Sequence, residues 1–503
     1  MDDRLPAAQE RTGESWRDLR DWLALVERQR ELRRISAEVD PKEELSAITL
    51  LSTRQVGAPA LLFETLANNR SDARVLINML AASKERYALT VGLDPKLPVR
   101  DLVAATRKIM KRRLPPATIA RDEAPVNEIV LSGDEIDMTR YPSPTFWPGD
   151  GGPYTGTGNV TLIRNPDTGV INVGVYRQML HGPRKLGINM VPGRHGAQNC
   201  EAWWARGKPC PVVVAYGIDP ALFIAATQVF GHDESELDVA GGLMGAPVEM
   251  TAADLVDMPI PARAEFVIEG HIHQGELEQE GPLGEFHGYY SGKTERRPVI
   301  TVDRIHHRRS PIMTAALMAT YPSCEIGEYH AIMRSARVWD NLESMGVPGV
   351  TGVYVYPASA SAAGLMVVSL KQLYPGHVAQ VLALAAQSPA AAYCIRWIIA
   401  VDDDVDPTDI NQVMWAMSVR SNPSDDIDIL RKTWSYRTDP SLAPDVRPYG
   451  SKALIDACEP HRFRATMAKR AYLRKSVYER VVSRWSELGL PGTPPAETHF
   501  HKE

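Results

Sequence analysis

The chain is poor in several things, and each shortage excludes a class of protein. It has five cysteines in 503 residues (Cys200, Cys210, Cys324, Cys394 and Cys458), an odd number with no Cys-x-x-Cys pair. That excludes a disulfide framework or a thiolate zinc site and reads as reduced core thiols. It has no surplus of positive charge: Lys and Arg number 56 against 62 Asp and Glu, a formal net charge of -6. A surface of that sign argues against general nucleic-acid or anionic-membrane binding. It has no unbroken apolar run long enough to span a bilayer. The most apolar region, VAQVLALAAQSPAAAYCIRWIIAV, is interrupted by Gln387, Ser388, Pro389 and Arg396, and reads as a helix, a break and a buried strand. The N-terminus, MDDRLPAAQERTGESW, lacks the apolar centre of a signal peptide. The expectation is a cytoplasmic protein that binds neither membrane nor nucleic acid.

What is present is ordinary globular sequence, 44% hydrophobic and 23% charged, with chain enough for roughly two to four domains. Its texture changes twice. Residues 1–125 read as α/β: a helical stretch from about 14 to 36 with Trp16, Leu19, Trp22, Leu23 and Leu25 on one side, then the buried-strand runs ALLFET and ARVLINML. The segment DLVAATRKIMKRRLPP reads as a helix with a basic last turn, stopped by Pro115-Pro116. Residues 126–310 are a succession of short β-rich runs punctuated by Gly, Pro, Asn and Asp, the pattern of a β barrel or sandwich. Only the Cys200–Trp204 region, ALFIA and DVAGG look helical there. Helix–strand alternation returns after a linker at 311–334, giving an α/β domain over 335–470 and a helical arm over 471–503.

Three motif-like stretches fail on their context. GYYSGKT (288–294) has one residue too few between its glycines for a phosphate-binding loop, and the strand-like ERRPVITV follows where a helix is needed. GTGNVT (156–161) lacks the third glycine of a dinucleotide fingerprint. VDDDVDPTDI (401–410) has no turn glycine at position six and Val413 at position twelve, so it reads as a strand end running into a capped helix, not a calcium loop. His271 and His273 alternate along one strand and could hold a metal, without a third ligand at a convincing spacing.

The stretch EQEGPLGEFHGYYSG (278–292) sets Glu280 and Glu285 five residues apart in a turn-rich loop. It reads either as a solvated hairpin with an acidic face or as a general acid with its partner. Taken with GVINVGVYRQM (169–179), NMVPGRHG (189–196), FGHDESELDVAGGL (230–243) and IIAVDDDVDPTDINQVMWAMSVR (398–420), it resembles the UbiD family of prenylated-FMN-dependent decarboxylases. The resemblance runs from about residue 15 to 470.

The resemblance implies an α/β (α+β) architecture: a central flavin-binding split β barrel between an N-terminal α/β domain and a C-terminal α/β oligomerisation domain. It implies that Asn172, His195 and Glu236 hold a divalent metal, Mn2+ or Mg2+, that bridges to the cofactor phosphate, with K+ beside it near the main chain of Ala226 and Thr227. Gly174, Val175, Tyr176, Arg194 and Gln228 complete the implied cofactor contacts. Arg177, Glu280 and Glu285 become the implied catalytic trio, with Glu285 delivering a proton to the carbon that lost CO2 and Arg177 orienting the substrate carboxylate. The implied reaction is reversible, non-oxidative decarboxylation of a hydroxybenzoate, pyrrole, furan, indole or phenazine acid. Met333 and the Trp434–Tyr436 region are expected as pocket walls. An acrylic-type acid, a non-catalytic flavin-binding subunit and a metal-dependent hydrolase built on His271 and His273 are the alternatives. A flavin prenyltransferase would supply the cofactor, and a homodimer is the simplest assembly.

Overall fold

The computed structural model describes residues 16–501 apart from Val229, His232, Asp233 and Thr498. His232 and Asp233 of FGHDESEL therefore lie outside the described residues. The described residues divide into two compact units, one lying within 1–337, 355–364 and 434–450, the other within 338–354, 365–433 and 451–503.

In the first unit, the apolar stripe near the N-terminus becomes the helix Leu19–Arg28, capped by the Asp18 side chain and burying Leu19, Trp22, Leu23, Leu25 and Val26. The expected helix is shorter than the 14–36 stretch, because Leu32–Val39 is a strand. It pairs in parallel with Ala60–Leu66, and that pairing outweighs a charge pattern compatible with helix. The sheet continues through Arg74–Ile77 to Ile312–Thr314, which pairs in parallel with Arg74–Ile77 after the chain has traversed the whole barrel. The basic helix is Val99–Ile109, with Arg107 and Lys108 in its last turn.

The middle of the chain is a nine-stranded curled sheet. Its order is Tyr154–Gly156, Gln178–Gly182, Lys185–Gly187, Glu295–His307, Phe266–Glu280, Cys210–Tyr216, Val160–Arg164 and Ile171–Gly174, with Ile129–Ser132 also pairing the 295–307 strand. Phe266–Glu280 and Glu295–His307 form a long antiparallel hairpin whose tip is the 281–294 loop. Apolar residues of its root (Phe266, Ile268, Ile272; Ile300, Val302, Ile305) enter one buried cluster with Tyr154, Leu186, Val212 and Tyr216. That hydrophobic root anchors a loop carrying Glu285. The helices read from sequence are present as His195–Ala205, Pro220–Ala226 and Glu236–Met244.

The second unit is a five-stranded sheet in the order Val350–Val355, Leu365–Leu370, Trp397–Asp402, Tyr449–Ala457 and Ile427–Trp434, with the helices His377–Gln387 and Ile410–Arg420. The 410–420 helix is capped by Asp409, as the failed calcium loop implied. One of these strands is hard to see in the sequence. Tyr449–Ala457 pairs in parallel with the central Trp397–Asp402 strand and buries Lys452, whose ammonium donates to the carbonyls of Ala386, Ala391 and Ala392 at 2.8–2.9 Å. A lysine there hides a central strand from any hydropathy pattern. Among the described residues, no helix is long and apolar enough to cross a membrane.

Candidate active site

Arg177 lies where the chain leaves the Ile171–Gly174 strand and enters Gln178–Gly182. It meets the end of the Phe266–Glu280 strand: Nε donates to Glu280 Oε1 at 2.7 Å and Nη2 to Glu280 Oε2 at 3.0 Å. This is a two-pronged guanidinium–carboxylate pair. Nη1 donates to Glu285 Oε1 at 2.6 Å. Arg177, Glu280 and Glu285 are thus brought together around one guanidinium, with side-chain exposures of 16%, 2% and 16%.

Four residues that sequence reasoning missed complete the group. Tyr154 donates to Glu280 Oε1 at 2.9 Å. Ser291 Oγ accepts from Arg177 Nη2 at 3.4 Å and from Leu283 N–H at 3.0 Å. Asn189, with its amide turned to present oxygen, accepts from Arg177 Nε and Nη2 at 3.1 and 2.9 Å. Asp150 is a clamp: one oxygen accepts from the N–H groups of Phe146 and Trp147 at 3.0 and 2.9 Å, the other from Gly284 N–H at 3.0 Å. In sequence, FWPGD reads only as a turn, so nothing singled Asp150 out.

The loop is a built object, not a solvated hairpin. Glu285 N–H donates to Tyr289 O, Ser291 N–H to Leu283 O, and Tyr290 OH accepts from Gly149 N–H. A Cβ at Gly284 would collide with the Trp147 indole, so glycine is what lets the two loops close. Gly288, at φ +83°, completes the turn in the left-handed region.

Burial raises the Glu285 carboxyl above its ordinary range, and the nearby charges of Glu280 and Asp150 push the same way. The charge and hydrogen bond of Arg177 oppose them without prevailing. Burial likewise raises Asp150, against the three N–H groups it accepts from. Burial alone would lower Arg177, but its hydrogen bond to Glu280 and the two carboxylates hold it above the usual value. A carboxyl whose pKa is raised by burial, beside a permanently charged guanidinium, is an arrangement suited to delivering a proton. Glu285 faces a cavity of about 230 Å3, also lined by Leu50, Arg54, Trp147, Tyr289 and Met318.

A second cluster lies where the Ile171–Gly174 strand meets two helices. Asn172 Nδ2 donates to Glu236 Oε1 at 3.0 Å, and Val173 N–H to Glu236 Oε2 at 3.1 Å. Tyr176 OH donates to Asn172 Oδ1 at 3.0 Å. His195 is the first residue of its helix, preceded by Arg194. The next residue, Gly196, packs on Tyr176, as does Gly174; a side chain at either would strike that ring. Burial pushes the Glu236 carboxyl up to about 7.

The Pro220–Ala226 helix runs into Thr227 and Gln228, whose N–H groups close its last turn: Thr227 N–H donates to Phe223 O and Ile224 O, and Gln228 N–H to Ala225 O. Thr227 Oγ1 donates to Ile224 O at 2.7 Å and accepts from Tyr329 OH at 3.3 Å.

The other expectations divide. Arg194 lies over the Trp434 ring at 5.4 Å, and Tyr436 packs on Phe286 and His287, so 434–436 stays close to both regions. Met333 is fully buried and accepts a hydrogen bond from Tyr87, away from the cavity lining. His271 Nδ1 is paired with Asp303 at 2.7 Å, and His273 is exposed with its ring 6.4 Å from that of His271. Among the described residues, a separate group of Asp254, Glu269 and His306 has metal-like spacing. Glu269 there already accepts from three backbone N–H groups and pairs with His306 Nε2, which makes it a structural network.

Three domain models of one family match consecutive parts of the chain: the 3-octaprenyl-4-hydroxybenzoate carboxy-lyase N-terminal domain over residues 23–106, its Rift-related domain over 117–322 and its C-terminal domain over 329–457. The chain belongs to the UbiD family. It is therefore a member of a family of carboxy-lyases, and the flanked split-barrel architecture is that of its UbiD-class neighbours.

The UbiD-class enzyme HmfF from Pelotomaculum thermopropionicum, solved in complex with FMN, is 29% identical, with a TM-score of 0.79 over 91% of this chain and 97% of that one. Vanillic acid decarboxylase from Sedimentibacter hydroxybenzoicus, in its closed form, is 27% identical, with a TM-score of 0.84 over 95% and 99%. The 3,4-dihydroxybenzoic acid decarboxylase of Klebsiella pneumoniae is 26% identical, with a TM-score of 0.78 over 91% and 97%.

The residues present fit the groups that UbiD membership implies. Among the described residues Asn159, fully buried between the Tyr154–Gly156 and Val160–Arg164 strands, leaves Oδ1 without a partner while its amide donates to Tyr176 O at 3.3 Å. An orphan acceptor against the 172–177 segment suits a flavin ring N–H. Asn172, Glu236 and His195 supply two oxygen donors and an imidazole, a set suited to a hard divalent cation such as Mn2+ or Mg2+.

Proposed function

We propose that this protein is a reversible, non-oxidative decarboxylase of an aromatic or heteroaromatic carboxylic acid that uses prenylated FMN. The observation that carries the reading is the Arg177 guanidinium holding Glu280 by two hydrogen bonds and Glu285 by one, with Glu285 facing the cavity. Relatives that are vanillic and dihydroxybenzoic acid decarboxylases, and one that binds FMN, support it.

The flavin supplies an electron sink for the pair left on carbon when CO2 departs. Asn172, Gly174, Val175, Tyr176, Arg177, Arg194, His195, Ala226, Thr227, Gln228 and Glu236 hold it. Asn172, His195 and Glu236 carry Mn2+, and main-chain oxygens near Ala226 and Thr227 carry K+. Glu285, whose pKa burial raises, gives its proton to the carbon vacated by CO2 and recovers it from solvent at the cavity mouth. Glu280 fixes the guanidinium, and Tyr154 fixes Glu280. Leu50, Trp147 and Met318 keep the reacting face dry. In the second unit, Ile410, Met414 and Val419 are exposed on one helix, which supports association of two copies through that unit.

The test is protein co-produced with a flavin prenyltransferase. Its absorption spectrum and the mass of the released cofactor are read beside proton exchange in aromatic acids and their decarboxylated products. A prenylated flavin with exchange at one ring carbon is expected. Metal without flavin, and no exchange, would overturn the reading.

A further inference from the structure

The cavity that Glu285 faces has a second charged wall. Its volume is about 230 Å3. An apolar protein cavity of roughly 150 Å3 takes up benzene, so this one admits a single substituted ring. Its sides are apolar or aromatic: Leu50, Trp147, Tyr289 and Met318. Arg54 is the cationic side chain among the lining residues. It caps the Glu44–Thr53 helix one turn after Leu50, and i, i+4 spacing sets both on the face turned to the cavity. Among the described residues the Arg54 side chain makes no hydrogen bond or ion pair, unlike that of Arg177, whose fork is closed on Glu280.

We propose that Arg54 reads a second carboxylate on the substrate, so that the substrate class is a single-ring aromatic dicarboxylic acid. The inference rests on the decarboxylase reading above. The reacting carboxylate lies at the Glu285 end, where the proton is held. The C–C bond to that carboxylate breaks and CO2 leaves. The electron pair stays with the ring carbon and takes the Glu285 proton, which solvent replaces. The net reaction consumes one proton and yields a monocarboxylic acid, its remaining carboxylate still on Arg54. A guanidinium is permanently charged and matches a carboxylate with two parallel hydrogen bonds, which a neutral ring substituent cannot do.

The test compares benzene-1,4-dicarboxylate with benzoate. Titration calorimetry on the full chain as purified measures affinity, and turnover of the same pair is measured on flavin-loaded protein. The diacid is expected to bind at least about tenfold tighter, a difference of roughly 1.4 kcal/mol. Arg54→Gln should remove that advantage, and Arg54→Lys should keep part of it. Equal affinities in the wild type, or a diacid preference that survives Arg54→Gln, would overturn the inference, and turnover of monoacids alone would leave the decarboxylase reading standing. An Arg54-dependent diacid preference without decarboxylation of either acid would support the second anion site and overturn the decarboxylase reading.

Discussion

Asp150 Oδ1 accepts a hydrogen bond from the backbone N–H of Gly284, the residue immediately before Glu285. One carboxylate thereby ties the 146–150 turn to the acidic loop, and its other oxygen holds two N–H groups of its own turn. Asp150 is a positioning residue: it sets where the Glu285 side chain starts. Asp150→Ala leaves three N–H groups without their acceptor, at about 1–3 kcal/mol. The expected result is a fall in kcat larger than any rise in KM. Asp150→Asn, which keeps one acceptor oxygen, should recover part of the rate.

Glu285→Gln keeps the shape of the loop and removes its transferable proton. Turnover should drop by about 10²–10⁴-fold, with cofactor content and melting temperature little changed. Loss of flavin together with activity would instead assign Glu285 a structural role.

The raised Glu285 pKa has a direction in pH. The proton-bearing form persists above the ordinary carboxylate range and is lost as pH rises through the shifted value. The decarboxylation rate should therefore fall on the alkaline side, with a midpoint above the reference value of 4.5. A pH profile of kcat measures it, and a rate that rises there would remove Glu285 as proton donor.

Glu236 is buried and accepts from neutral N–H donors, those of Asn172 and Val173. Glu236→Ala should lower divalent metal and flavin content together in co-produced protein, read by elemental analysis and absorbance. Retention of full flavin with metal lost would separate the two sites.

In the second unit, Asp404 gathers Arg420, Arg470 and Tyr472 at 2.6–2.9 Å, and Arg470 also lies over the Trp415 ring at 4.2 Å. Burial would raise the Asp404 carboxyl, but the hydrogen bonds from Arg420 and Tyr472 and the charge of Arg420 win and hold it well below the usual range. Its stabilising contribution is present above the unfolded value near 3.8 and is lost as pH falls toward the depressed folded value. Asp404→Asn should cost about 3 kcal/mol. It should also speed proteolysis around residues 469–473, while Glu285 chemistry is unaffected.

The sequence was legible where chemistry and pattern coincided. Arg177 lies far in the chain from Glu280 and Glu285, yet the family resemblance joined the three, and one guanidinium touches both acids. The β-rich middle was legible because its strands alternate apolar residues between turn signals. Leu32–Val39 was not, because six of its eight residues are partly or fully exposed and its pairing partner is 28 residues away. Tyr449–Ala457 hid behind Lys452, whose burial is permitted by three carbonyls supplied by another part of the chain. Asp150 and Asn189 act through contacts that no local spacing encodes.

Arg177 has five N–H groups to give. Glu280 takes two, Glu285 takes one, and Ser291 and Asn189 share the second on Nη2. Among the described residues, that leaves one, on Nη1, the nitrogen that already holds Glu285. The two-pronged edge expected to grip the substrate is spent inside the protein. A substrate carboxylate arriving at Arg177 finds a single prong, next to the acid, and can gain the second only if Glu285 releases it. Under the proposed function, two-pronged binding of substrate at this arginine is thereby an exchange of Glu285 for the substrate carboxylate, and grip on the substrate competes with the rest position of the acid for one nitrogen.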